Sequence, residues 1–495
     1  MTGQFDDTPG NLSNDLLTRG DMISLGDKWL AFDAVNLAGV LKLGAAFLLF
    51  LIVLFMPAPD GLSPEGQKAL AVMTLAVVLW ATEALPISVT GMIGVLLLVV
   101  LGAVPGILEG LYGFSQPVSY FLIGILTIGL AVHQSGLAER MATFLIRGAV
   151  GKPALLYIQM LFSFALLTFA LPSASTRGAI MVHIYAQVLE RWNIPQEHRY
   201  YKALMLALGC LNRLGSTALL AGGITPVVAS ALLGDFSWTG WFLLMSIPFY
   251  ANLIIGGSLL FLMYRDGFRL PVDRNAERLQ SGPMSAVEYK AGIIVMITAL
   301  LWFTDFAHGL HPAVPALIAM TLILTPRIGI LTWQTFERNL GWTNFFVIAT
   351  SLSLAHTLVT TGAAAWLSEA LVGGTAFVQD SPMMVLGVLC LFAAFTRLLM
   401  PNIAGYLSLS IPVAMASGGA LGLDPLVCGM AVVVVGDSLV YYSAAGTASI
   451  FIFQLANLRN PEIFRFAVVM TVVAIAVVFL VAVPYWTLVG HPLTR

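Results

Sequence analysis

Residues 171–183 read LPSASTRGAIMVH and set Pro172, three hydroxyl side chains (Ser173, Ser175, Thr176) and Arg177 in the middle of an apolar region of membrane-crossing length. An uninterrupted spanning helix has no use for that cluster. Proline removes a backbone donor, serine and threonine offer the backbone competing hydrogen bonds, and an arginine near the bilayer centre costs at least about 2.5–3.5 kcal/mol. Non-helical backbone at such depth persists only where protein surrounds it or where it lines a water-filled cavity. Residues 398–410, LLMPNIAGYLSLS, repeat the pattern in the later half, with Pro401 followed by Asn402. The chain is therefore expected to fold around two broken segments whose tips face a bound solute.

With 59% of its residues hydrophobic and 10% charged, against about 25% charged in soluble domains, the chain reads as a polytopic membrane protein. Its net charge of -2 offers no basic surface for nucleic acid. Cys210, Cys390 and Cys428 all lie in apolar stretches, which argues against a disulfide framework. Residues 1–36 are polar and acidic and lack the basic start and short apolar core of a cleaved signal, so they read as a cytosolic lead-in. No phosphate loop, paired-histidine zinc helix or serine nucleophile elbow is present, and the chain does not read as an enzyme.

Apolar runs of about 20 residues mark spans near 37–56, 66–84, 88–104, 118–139, 241–264, 291–306, 313–326, 343–363 and 463–488. Between them lie re-entrant pairs at 154–190 and 383–417 and interrupted spans at 203–233 and 426–456, the first broken by GSTALLAGGITP. An all-α fold follows, because lipid-exposed backbone must satisfy its own hydrogen bonds. If both pairs are hairpins that enter and leave on one side, all but six of the 23 Lys and Arg residues fall on one face: Lys68 and Arg495 lie opposite, Lys42 sits at a helix start, and Arg177, Arg213 and Arg397 stay inside. That bias puts the N-terminus in the cytoplasm and makes the two hairpins enter from opposite sides. Opposite entry is the mark of an inverted repeat. FLIGILTIGLAVHQSGLAERMATFL from Phe121 echoes FFVIATSLSLAHTLVTTGAAAWLSEAL from Phe345, with Gly136 matching Gly362. Inverted repeats with discontinuous helices meeting at mid-membrane are characteristic of secondary transporters.

WATEALPISVTGMIG from Trp80, SGLAERMA from Ser135, GLHPAVPALI from Gly309 and TGAAAWLSEAL from Thr361 resemble landmark stretches of the divalent-anion/sodium symporter family. This resemblance implies a homodimer in lipid whose protomers each hold a scaffold and a transport domain moving as an elevator. It divides the chain into the lead-in 1–36, scaffold helices 37–153, transport segments 154–264, the charged cytosolic linker 265–290, scaffold helices 291–382 and transport segments 383–495. Family members carry Ser-Asn-Thr at each hairpin tip and Thr-Pro-Pro in each interrupted helix. The positions here are Ser173-Ala174-Ser175 and Pro401-Asn402-Ile403 at the tips, and Ile224-Thr225-Pro226 and Gly446-Thr447-Ala448 in the breaks. The implied role is uptake of a small organic anion, a carboxylate or related sulfonate or phosphonate, with sodium or protons, in a bacterial inner membrane.

From that resemblance together with their own chemistry, Ser173, Ala174, Ser175, Thr176, Arg177, Pro401, Asn402, Ile403, Thr225 and Thr447 are the candidates for substrate contact. Arg177 reads either as a guanidinium fork on the anion or as half of an internal pair. Arg213 and Arg397 could serve likewise but read first as structural partners, and Asp437 as their balancing acid or as a proton carrier. Hydroxyls and unwound backbone at Ser173, Ser216, Thr217, Gly222, Asn402, Ser443, Gly446 and Thr447 are candidates for a coupling sodium ion. The rival reading is a cation/proton antiporter working through Asp437. Glu83, Asp305, His133, His183 and His356 read as structural.

Overall fold

The computed structural model describes residues 37–146, 151–171, 173–234, 236–270, 282–372, 381–443 and 447–494. The lead-in, Pro172, Gly446, the middle of the charged linker and the side chain of Thr447 lie outside that description. Eight of the described helices are long and apolar enough to cross a membrane, and no strand forms among the described residues.

The first half contains α1 (Leu37–Phe55), α2 (Pro64–Thr82), α3 (Ile87–Val100), α4 (Pro117–Gln134), α5 (Leu137–Ile146), α6 (Pro153–Leu166), α7 (Ala174–Arg191), α8 (Arg199–Thr217), α9 (Ile224–Leu233) and α10 (Trp238–Met263). The second contains α11 (Ala286–Phe303), α12 (Ala313–Leu324), α13 (Trp342–Thr360), α14 (Ala363–Val372), α15 (Pro382–Leu399), α16 (Ile403–Ala420), α17 (Pro425–Asp437), α18 (Thr447–Leu455) and α19 (Asn460–Leu488). Helix starts follow local chemistry. Ser63 caps α2 and Ser237 caps α10 through their hydroxyls, Ser285 and Glu288 form a capping box at α11, and Asp424 caps α17; each satisfies amides that an α-helix leaves orphaned. Prolines open α6, α15 and α17, where the missing donor costs nothing.

Apart from α1, each helix of the first half has a counterpart nine labels on, and the packing obeys that correspondence. Helix α4 packs on α12 while its counterpart α13 packs on α3. Helix α5 packs on α7, and α14 on α16. The hairpins are completed crosswise: α7 of the first packs against α18, and α16 of the second packs against α9. Helices α10 and α19, the last of each half, pack on one another. Burial separates rim from centre. Only 11% of the spanning window of α1 is buried within the chain, whereas 67% of the window in α16 is buried.

Arg140 of α5 grips the start of the second half. Its Nε and Nη2 donate to the two carboxylate oxygens of Glu288 at 2.6 and 3.1 Å, and Nη1 donates to the Gly282 carbonyl at 2.6 Å. This planar fork-to-carboxylate match pins the end of the linker.

Candidate functional site

Both expected hairpins form, and each turns on a capped helix N-terminus. Ser173 adopts extended backbone ahead of α7 and its Oγ accepts the Thr176 amide at 3.2 Å. Asn402 does the same ahead of α16, its Oδ1 accepting the Ala404 amide at 3.2 Å. The side-chain oxygens thus point back into the helices, and the unpaired first-turn amides carry the positive ends of two helix dipoles. Asn402 Nδ2 is buried with no hydrogen-bond partner among the described residues. A buried amide donor without an acceptor is costly and calls for a ligand or water.

Both interrupted helices break next to these tips. After α8, a short turn at Leu220–Gly222 leads to Gly223, whose φ of 151° only glycine adopts without strain, and α9 restarts at Ile224. Gly222 lies so close over the Ser216 carbonyl that any Cβ would collide with it. The two breaks meet at Asp437, the last residue of α17. It is 1% exposed and accepts hydrogen bonds from Thr217 Oγ1 at 2.5 Å and Thr225 Oγ1 at 2.8 Å, one from each side of the first break. Arg213 Nη1 lies 3.7 Å from Asp437 Oδ1, and Nη2 lies 3.4 Å from the Leu439 carbonyl. The structure thus joins Arg213 and Asp437 as a charge pair.

Arg177 has a different place from the anion-facing one that its position suggests. It is 0% exposed; its Nε donates to Asn212 Oδ1 at 2.7 Å, Nη1 to the Leu171 carbonyl at 3.1 Å and Nη2 to the Asn212 carbonyl at 3.0 Å. Asn212 returns its amide to the Ala174 carbonyl at 2.9 Å. Arg397 does the matching work in the second half: 1% exposed, it donates to the carbonyls of Gly436 at 3.2 Å, Met400 at 2.5 Å and Pro401 at 2.7 Å. Each arginine therefore staples a hairpin tip to the first segment of the interrupted helix in its own half. Carbonyls at helix C-termini lack partners and carry partial negative charge, so a guanidinium there needs no carboxylate. In this structure Arg177 takes the internal reading rather than the fork on the substrate, and Arg397 adds these carbonyls to its expected place near Asp437.

The hydroxyls are likewise more engaged than expected. Ser216 Oγ donates to the Arg213 carbonyl at 2.7 Å, and Ser443 Oγ to Asn460 Oδ1 at 3.3 Å. Thr217 and Thr225 serve Asp437, with a guanidinium beside them that a cation would find repulsive. Gly446 and the Thr447 side chain lie outside the described residues. Ser173, Ala174, Thr176, Arg213, Gly223, Asn402 and Ile403 are partly exposed and Ser175 more so, amid a core that is otherwise closed. Sequence reasoning missed Asn212, Trp241, whose indole donates to the Thr217 carbonyl at 3.0 Å, and Tyr442, whose hydroxyl donates to the Leu398 carbonyl at 2.6 Å. All three satisfy backbone or side-chain groups around a break or tip. The structural readings of the outlying groups agree with their contacts: Asp305 accepts the Thr239 amide and hydroxyl at 2.9 and 2.6 Å, His133 meets Glu139 at 3.0 Å, and His356 stacks on Tyr112.

Two re-entrant hairpins and two interrupted helices, related by an inverted repeat, define a polytopic membrane protein of the secondary-transporter type. The family defined by the sodium:sulfate symporter transmembrane region matches residues 37–491, and the chain belongs to that family. Among curated relatives, it is 24% identical to the L-tartrate/succinate antiporter of Escherichia coli, over 76% of this chain and 82% of that one. It is 23% identical to the chloroplastic dicarboxylate transporter 1 of Arabidopsis thaliana, over 85% and 78% respectively. A putative malate transporter of Bacillus subtilis, YflS, is 24% identical over 65% of this chain and 70% of its own. Among solved structures, the YdaH transporter of Alcanivorax borkumensis shares the fold with a TM-score of 0.51 at 16% identity, over 78% of this chain and 88% of that one.

Proposed function

We propose that the protein is a secondary active transporter that imports a small organic anion, a carboxylate or related sulfonate or phosphonate, across a bacterial inner membrane. The single observation that carries this reading is the unpartnered Asn402 Nδ2 at a hairpin tip, beside the positive N-terminus of α16. A buried donor and a helix N-terminus together suit an anionic oxygen. Around the tips and breaks, Arg177, Arg213 and Arg397 stand with one buried acid among the described residues, Asp437, and the surplus positive charge favours an anion further. The relatives that carry tartrate, succinate, malate or other dicarboxylates are consistent with that choice.

In this reading α6–α10 and α15–α19 form a transport domain that slides as an elevator against scaffold helices α1–α5 and α11–α14, in a homodimer with cytoplasmic N-termini. Sodium or protons travel with the anion as cargo. Cation/proton exchange through Asp437 is disfavoured, because both its oxygens are already held by threonine hydroxyls and Arg213.

Proteoliposomes loaded with unlabelled succinate, malate or tartrate should accumulate the labelled anion by counterflow, and an imposed sodium or proton gradient should identify the cargo cation. N402A should weaken anion affinity by about ten- to a hundredfold, since one hydrogen bond to a charged group is worth about 1.5–3 kcal/mol, and should lower stability by no more than the loss of the α16 cap, about 0.5–2 kcal/mol. Sodium/proton exchange with no anion flux would replace this reading with the antiporter.

A further inference from the structure

Resting on the proposed function, we infer that Arg213 is the residue that grips the anion's carboxylate, with Asp437 as its positioning residue. Of the three arginines near the tips and breaks, Arg177 and Arg397 are closed off: they are 0% and 1% exposed and are bound to tip and helix carbonyls at hydrogen-bonding distance. Arg213 differs in both respects. Its side chain is 16% exposed, and its two guanidinium contacts among the described residues, at 3.4 and 3.7 Å, are longer than the 2.7–2.9 Å of a charge-assisted hydrogen bond. It is aimed but not saturated.

The surroundings explain both halves of that description. Its own carbonyl accepts Ser216 Oγ at 2.7 Å, which stiffens the backbone from which the side chain rises. Asp437 reaches across from the other interrupted helix and sets the direction of the guanidinium, yet it does not depend on Arg213 for its hydrogen bonds, because Thr217 and Thr225 supply them at 2.5 and 2.8 Å. A carboxylate arriving at Arg213 therefore forms two short parallel bonds and leaves no buried acid bare. Because Arg213 stands on one break and is oriented by a residue of the other, it occupies the meeting point of the two halves, where a ligand shared by both tips has to lie.

The test uses the purified full-length protein and isothermal titration with succinate, malate and tartrate, alongside melting curves of the apo forms. R213Q should lose at least tenfold in affinity for whichever anion binds the wild type, with a melting midpoint within a few degrees. R213K should retain part of the affinity, since it keeps the charge and loses the fork. Added ethylguanidine should restore binding to R213A, an effect that a purely structural arginine would not show. D437N should bind several-fold more weakly while ethylguanidine leaves it unchanged. Wild-type affinity in R213Q would overturn the assignment of Arg213 alone. Failure of the wild type to bind any organic anion would overturn the transport reading and this assignment together. Should R213Q not survive purification, R213K carries the same comparison, and unchanged affinity there overturns the assignment.

Discussion

Arg177 and Arg397 are equally conspicuous in the sequence and equally hidden in the structure, and the reason is local. A guanidinium set among apolar residues can meet a ligand, an acid or bare carbonyls, and sequence does not distinguish these. What decides is Asn212 for Arg177 and the unpaired end of α17 for Arg397. Asn212 carries no signal of its own: it is one polar residue next to Arg213 on a helix, and only the fold brings it against the first tip. R177A would strand the Asn212 side chain and two carbonyls, and should destabilise the protein by on the order of 3 kcal/mol; thermal unfolding in detergent should show a clear loss for R177A and a smaller one for R177K. Asp305 supplies a pH prediction outside the spans. Burial works against its charge, but the Thr239 hydroxyl and amide outweigh this and hold its carboxyl below the usual range. The stability it confers is then present above the ordinary aspartate range and is lost as pH falls through the lower folded value. Wild type should lose more of its melting temperature between pH 7 and pH 3.5 than D305N does, and equal losses would remove Asp305 as a contributor.

At the scale of elements, most of the architecture was legible beforehand. Spans, hairpins and breaks fall within a few residues of their expected places, because long apolar runs and proline-polar interruptions are strong signals where lipid forbids unpaired backbone. Short connecting helices such as α5 and α14 were visible only as matched sequence, since ten residues neither span a bilayer nor show a clear period. Pairing between elements was not legible at all: nothing in the chain says that α18 completes the first hairpin. One pairing lends itself to a test of motion. A Cβ built on Gly129 of α4 would lie 3.9 Å from Ser173 Cβ at the first tip, and that spacing suits a disulfide. The G129C/S173C protein should cross-link on oxidation, lose anion uptake and regain it on reduction. Uptake that survives cross-linking would mean that the first hairpin does not travel past α4.

Over the whole molecule, the bias of basic residues and the echo between halves give the topology, and contacts such as the Arg140–Glu288 clamp show how the halves are fastened at the linker. The reciprocal exchange of α9 and α18 has a further consequence. Neither half owns a finished hairpin, so a protein made from one half alone exposes the helix face its missing partner should cover. Cutting the chain within the linker and co-expressing the two pieces should yield an assembled transporter, whereas either piece by itself should be degraded or aggregate. A half-length chain could work only beside a second, inverted copy of itself, each lending a limb to its twin, and the contacts between α7 and α18 and between α16 and α9 are the seam along which such copies would meet.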